Sequence, residues 1–272
     1  MPTATVPLKS FSSFKSLSFD IYGTLIDWES KVGEDLEGLI KDIDTGSSLE
    51  AAKTDVASPS ELTHMLFKHA TALQVGSPSM RYDLLMTESY LKLAAELIVP
   101  ITDAVQSDAE KFGKSVGDWP PFQDTVDAMG RLGKHFKLIA LSNVDNASIE
   151  RTRTGPLQGL QFWRIYTAED IGSYKPSLRN FDYLLQHINE ADMSEGGSGI
   201  GKHEDLHVAQ SLFHDHEPAK KMGMSSVWIN REGVDTHDAV AKKMHDEASL
   251  GYGWRFETLG AFADEVDRQF AA

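Results

Sequence analysis

The chain has 272 residues, 41% of them hydrophobic and 25% charged, the proportions of an ordinary globular protein with a sizeable core. Its 26 Lys and Arg stand against 41 Asp and Glu, a net charge of −15, and so acidic a surface repels a phosphate backbone and argues against nucleic-acid binding. Cysteine is missing, which excludes disulfides, thiolate metal sites and a cysteine nucleophile, and no apolar run approaches membrane-spanning length. Residues 1–16 contain no acid, are rich in Ser and Thr and lack the apolar stretch of a signal peptide. They read as a short disordered lead, and the cytoplasm is the expected compartment.

Residues 17–20, Leu-Ser-Phe-Asp, form a short buried strand ended by a turn at Gly23. Residues 31–119 change to helical periodicity: Val32, Leu36, Leu39 and Ile40 space as one helix, Leu62, Met65, Leu66 and His69 as a second, and Tyr82, Leu85, Met86, Ser89 and Leu93 as a third. Breaks are expected at 45–48, 58–60 and 76–78. The pair Pro120-Pro121 after Trp119 closes this helical stretch, since proline disfavours helix in the residue before it.

Beyond that boundary helices and strands alternate. Helix is expected over 125–134, strand over 137–141, strand over 162–166, helix over 176–189, strand over 207–213, a helix through Pro218 to Met222, and strand over 225–229. Such alternation predicts an α/β fold, a doubly wound parallel sheet covered on both faces. The helical stretch is inserted after the first strand, so residues 1–30 and 120–272 are assigned to the core and 31–119 to a helical domain. Right-handed crossovers then place every strand-to-helix loop at one edge of the sheet, where ligands bind.

Four loop ends carry chemistry there. Asp20 ends the first strand in Asp20-Ile-Tyr22-Gly-Thr24-Leu, where Gly23 permits a tight turn and Thr24 offers a hydroxyl to the carboxylate. Ser142 and Asn143 follow the second strand, Lys175 stands before a helix in Tyr174-Lys175-Pro176, and Asp215 follows the strand over 207–213. Three of the four have a plain structural alternative: a turn cap for Asp20, a helix N-cap for Ser142 and Asn143, a solvated charge for Lys175. A parallel sheet that gathers all four argues for one site.

This order of Asp-x-x-Gly-Thr, Ser, Lys-Pro and Asp resembles the haloacid dehalogenase superfamily over nearly the whole chain. It is closest to the L-2-haloacid dehalogenase branch, which Leu141-Ser-Asn143 and Val227-Trp-Ile-Asn-Arg231 also resemble. The resemblance implies a Rossmann-like core, a helical cap domain over 31–119, and a hydrolase with Asp20 as nucleophile, Lys175 and Asp215 as catalytic partners, and Tyr22, Thr24, Ser142 and Asn143 around the substrate. It implies no cofactor, a small-molecule substrate and no membrane partner; a homodimer stays open.

Three features of the resemblance bear on the substrate. Phosphatases of this superfamily carry a second Asp two residues after the nucleophile to protonate an alkoxide leaving group. Here that position is Tyr22. Halides leave without a proton, so a carbon–halide substrate is expected, with a magnesium phosphatase (Asp20, Tyr22 and Asp215 as ligands) or a non-catalytic binding protein as alternatives. The dehalogenase branch has Tyr where Phe181 stands, and Ser and Asn where Gln210 and Leu212 stand. It also uses a cap arginine, for which Arg81 and Lys68 are the candidates, both more readily read as surface charge. Gly196-Gly-Ser-Gly-Ile-Gly-Lys202 mimics a phosphate-binding loop but has His203 in place of Ser or Thr and follows a helix, so a flexible surface loop is expected over 193–205. His214 and His216 suggest a metal clip, but no third ligand at metal spacing is evident.

Overall fold

In the computed structural model, residues 9–41, 59–231, 243–244 and 249–272 are described. The expected break at 45–48 and the first eight residues of the lead lie outside them. Six strands form one sheet, β1 (Ser16–Phe19), β2 (Lys137–Ser142), β3 (Arg164–Thr167), β4 (Asp205–Ala209), β5 (Ser225–Ile229) and β6 (Trp254–Phe256). Their spatial order is β3-β2-β1-β4-β5-β6, with every neighbouring pair parallel. The order reverses at β1, so the carboxyl end of β1, where Asp20 follows, is the switch point at which open α/β sheets bind ligands. The fold is the expected doubly wound α/β.

The helices in chain order are α1 (Trp28–Lys41), α2 (Pro59–Gly76), α3 (Tyr82–Glu96), α4 (Asp103–Ser115), α5 (Thr125–Leu132), α6 (Asn146–Thr154), α7 (Ala168–Ile171), α8 (Leu178–Ser194), α9 (Glu217–Met222) and α10 (Leu259–Phe270). Among the described residues no helix is long and apolar enough to cross a membrane. The chain divides into two compact units, Met1–Ile26 with Pro121–Asn143 and Leu157–Ala272, and Asp27–Pro120 with Val144–Pro156. The second unit holds α1 to α4. It also takes α6, because Arg151 binds the carbonyl of Lys114 and the carboxylate of Asp118, and Thr152 Oγ1 donates to the carbonyl of Gly117 at 3.3 Å.

In the first unit α8 lays Phe181, Leu184 and Ile188 against Ile139 and Leu141 of β2, all fully buried. Three expectations need correction. The lead is ordered from Lys9 onward: Phe11 is fully buried, 4.9 Å from the Trp254 ring and 5.3 Å from Phe262, and its backbone N–H donates to Gln269 Oε1. Its apolar side chains find a groove that a reading of local composition does not reveal. The strand expected over 207–213 stops at Ala209, because Ser211 accepts from the His214 N–H and caps a wide helical turn over Leu212–His216. His214 and His216 therefore sit on that turn, not on a strand end. The surface loop begins only after α8 ends at Ser194, with Gly196 and Gly199 at positive φ where side chains are strained.

Candidate active site

The alternation of β1 and β4 decides which groups reach the site. In register, Ser16 pairs with Asp205 and Ser18 with His207, and on the other side Ser18 pairs with Ile139. Residues 16, 18 and 20 thus share the sheet face covered by α8, while Leu17 and Phe19 enter the opposite core. Asp20 lies one residue past the last paired position and is 7% exposed.

Both carboxylate oxygens of Asp20 are held. Thr24 Oγ1 donates to Oδ2 at 2.8 Å, and Lys175 Nζ donates to Oδ1 at 2.8 Å. Thr24 is itself fixed, since its hydroxyl accepts from the Gln210 N–H at 2.9 Å. Its carbonyl accepts from Arg231 Nη2 at 2.9 Å, while Arg231 Nη1 pairs with Asp124 at 2.8 Å and the guanidinium lies over the Phe122 ring. The turn that aims Asp20 is therefore clamped from three directions.

Lys175 is 1% exposed and donates to three acceptors: Asp20 Oδ1, the Leu141 carbonyl at 2.9 Å and Asp215 Oδ1 at 2.7 Å. Burial alone would push its ammonium down, but the two carboxylates outweigh burial and hold it above its ordinary value. Burial raises Asp20, and the neighbouring Asp215 adds to this against the pull of Lys175. For Asp215 burial is overcome by Lys175 and by the bond from His207, so its carboxyl lies below the usual range and it ionises first. The cluster is two carboxylates around one buried cation.

All seven expected site residues lie in the first unit, and the structure brings Asp20, Thr24, Lys175 and Asp215 into one hydrogen-bonded cluster. Asn143 is turned to the lysine loop: its Oδ1 accepts from the Lys175 N–H at 2.7 Å and its Nδ2 donates to the Lys175 carbonyl at 3.0 Å. The peptide bond from Lys175 to Pro176 is cis. Among the described residues Ser142 Oγ is buried without a hydrogen-bond partner, as is Asp215 Oδ2. Tyr22 is half-buried and its backbone bridges to Ile26.

The remaining candidates separate from this cluster. Gln210 meets Thr24 through its backbone, and Leu212 packs with Trp228, Leu250 and Tyr252. Phe181 packs edge-on to the His207 ring at 5.3 Å. His216 is fully buried between the Ala209 carbonyl and Ser226 Oγ, whereas His214 contacts Ser211. Among the described residues no group of three His, Asp or Glu side chains is placed to hold a metal ion. In the second unit Arg81 pairs with Asp83, and Lys68 is exposed.

The local sequence assigns no role to Ser18, Asp205, His207 or Arg231. Its one available signal was polarity at alternate positions of otherwise apolar strands, Ser16-x-Ser18-x-Asp20 and Asp205-x-His207.

No family model matches the chain, and no curated protein matches its sequence. Solved structures match its fold. One L-2-haloacid dehalogenase is 20% identical with a TM-score of 0.67, covering 93% of this chain and 99% of its own. The L-2-haloacid dehalogenase of Xanthobacter autotrophicus, with chloropropionic acid covalently bound, is 14% identical with a TM-score of 0.67, covering 93% and 98%. YfnB from Bacillus subtilis, assigned to the HAD-hydrolases and bound to magnesium, is 16% identical with a TM-score of 0.65, covering 93% and 99%. The chain has the fold of these proteins.

Proposed function

We propose that this chain is a hydrolase of the haloacid-dehalogenase type in which Asp20 displaces halide from a small organic halide such as a 2-haloacid. The observation that carries the reading is Asp20 itself, a nearly buried carboxylate with both oxygens fixed by Thr24 and Lys175. Position 22, where a proton donor for an alkoxide would stand, is a tyrosine. The names of the two dehalogenase neighbours support the same chemistry, and Asp27–Pro120 is read as the cap.

In the proposed reaction an Asp20 oxygen bonds to the halogen-bearing carbon, and the carbon–halogen bond breaks with its electron pair leaving on halide. Water then adds to the carboxyl carbon of the aspartyl ester. The Asp20 Cγ–O bond opens, one water proton passes to the departing hydroxyl of the product, and the other is released. Lys175 keeps Asp20 ionised against burial and steadies the charge that appears on the ester oxygen during hydrolysis. Ser142 Oγ supplies a donor for the substrate carboxylate. Asn143 is assigned to hold the Lys175 loop, given its two bonds to that backbone.

A single turnover in heavy-oxygen water with enzyme in excess tests this. Covalent attack puts the label in Asp20 and leaves the first product unlabelled; labelled product beside unlabelled Asp20 would sink the nucleophile assignment.

A second reading draws on Asp215 Oδ2, the buried carboxylate oxygen that no group among the described residues satisfies. A magnesium ion would bind there, with Asp20 and the Tyr22 carbonyl completing a set of oxygen donors of the kind magnesium takes. It would supply charge neutralisation to a phosphoryl group. Turnover of phosphate esters that needs magnesium, with no turnover of haloacids, would select it.

A further inference from the structure

Next to the Asp20–Lys175–Asp215 cluster lies a second set of polar side chains that the proposed reaction does not use. Ser16 and Ser18 of β1 and Asp205 and His207 of β4 are all fully buried. They form one continuous chain. His207 Nε2 is 2.9 Å from Asp215 Oδ1, and His207 Nδ1 is 2.9 Å from Ser18 Oγ. Ser18 Oγ is 2.6 Å from Asp205 Oδ2, and Ser16 Oγ donates to Asp205 Oδ1 at 2.6 Å. Four polar residues on the buried face of two central strands are costly unless fully bonded, so their presence calls for a physical reason.

Proton counting fixes the direction of the bond that meets the site. Asp215 is ionised beside Lys175, so its Oδ1 only accepts, and His207 Nε2 must carry the proton between them. The Ser18 hydroxyl has a single proton. It can be given to Asp205 or to Nδ1. In both arrangements Nε2–H points at Asp215. The edge-on Phe181 ring flanks the imidazole with a hydrocarbon surface that offers no hydrogen-bond acceptor to draw Nε2–H away.

We propose that His207 is a positioning residue for the reaction assigned to Asp20, an inference that rests on that reading. Held by Ser18 and Asp205, it fixes the Asp215 oxygen on which Lys175 is anchored. That oxygen accepts from both Lys175 and His207, while Oδ2 has no partner among the described residues. Lys175 is thereby centred between its two carboxylates, and Asp20 keeps its aim. Without the ring Asp215 loses one of its two donors and can rotate; Lys175 follows it, and the attacking carboxylate is displaced. A misplacement of roughly 1 Å costs on the order of 100-fold in rate, so a kcat loss of about 10–100-fold is expected, with KM little changed.

The test uses His207→Leu, His207→Gln and Ser18→Ala in the full-length protein, with folding checked by circular dichroism. Gln keeps an N–H that reaches Asp215, so His207→Gln should recover most of the kcat that His207→Leu loses. Ser18→Ala, which frees the ring without removing it, should show a smaller loss of kcat and carries the kinetic test if His207→Leu does not fold. A fall confined to KM, or equal loss in the Gln and Leu variants, would overturn the proposal. Nitrogen NMR of labelled histidine supplies a readout that needs no substrate: His207 Nε2 should be protonated, and its signal should shift in Asp215→Asn. An unprotonated Nε2 overturns the positioning claim even if haloacids are turned over. A wild-type protein that turns over no haloacid defeats the functional reading, and the NMR result then decides the positioning claim alone.

Discussion

Replacing Lys175 by Met keeps a side chain of similar length and removes one buried charge with three donated hydrogen bonds. The ammonium is 1% exposed, so water cannot take its place. Taking one partner from a buried ion pair costs about 3–5 kcal/mol, because the remaining charge is left uncompensated. Here two carboxylates remain, and the Leu141 carbonyl loses its donor, which adds about 1–3 kcal/mol. A total near 5 kcal/mol corresponds to a fall in melting temperature on the order of 10 °C for a chain of this size. The loss should depend on pH with a definite sign. Without Lys175 one carboxylate keeps its proton in the folded state to a pH well above its unfolded value. Stability is therefore retained at low pH and lost as pH rises through that raised value, so the variant should be weaker at pH 8 than at pH 5. Lys202→Met is the control: that lysine is exposed, bonds only weakly to the Met222 carbonyl at 3.4 Å, and should change stability by no more than about 0.5 kcal/mol. Thermal melts of both variants at the two pH values measure the difference. Equal melting temperatures, or a Lys175→Met variant that is more stable at pH 8, would refute the placement of a buried cation between two carboxylates.

Chelation with EDTA should leave haloacid turnover unchanged, because displacement at carbon requires no metal to neutralise a phosphoryl group; loss of activity restored by magnesium would move the assignment to a phosphatase. His216 is held neutral, with burial pushing its imidazole down to about 4. The unfolded chain takes up that proton at its ordinary value of about 6.5, so this residue should cost about 3 kcal/mol of stability as pH falls from about 6.5 to 4. His216→Gln should flatten the urea-denaturation midpoint across that window, and an unchanged slope would contradict its neutral burial. Phe11→Ala should lose about 3–5 kcal/mol by opening a cavity beside Trp254 and Phe262, whereas a disordered lead would register no change in melting temperature.

Periodicity and turn chemistry in the sequence were enough for the α/β class, five of the six strands and the helical stretch after β1. They also marked Asp20, Thr24, Lys175 and Asp215, because these stand in loops that follow a strand or precede a helix, where a parallel sheet must gather its connections. A local pattern determines a local conformation, and a run that alternates or ends reports its own end. Which partner a side chain meets is decided by residues far away in sequence. The stop of β4 at Ala209 depends on Ser211 capping a turn that the apolar run over 207–213 concealed. The order of Phe11 depends on Trp254 and Phe262, from the far end of the chain. Asn143 could be read as a ligand for substrate until the fold placed the Lys175 backbone against both ends of its amide. Ser18, Asp205 and His207 are polar residues in strands, and nothing local distinguishes a solvated position from a buried one. The register of β1 against β4 decides it, placing Ser18 beside His207 under α8, where each buried polar group must find its partner on another strand or loop.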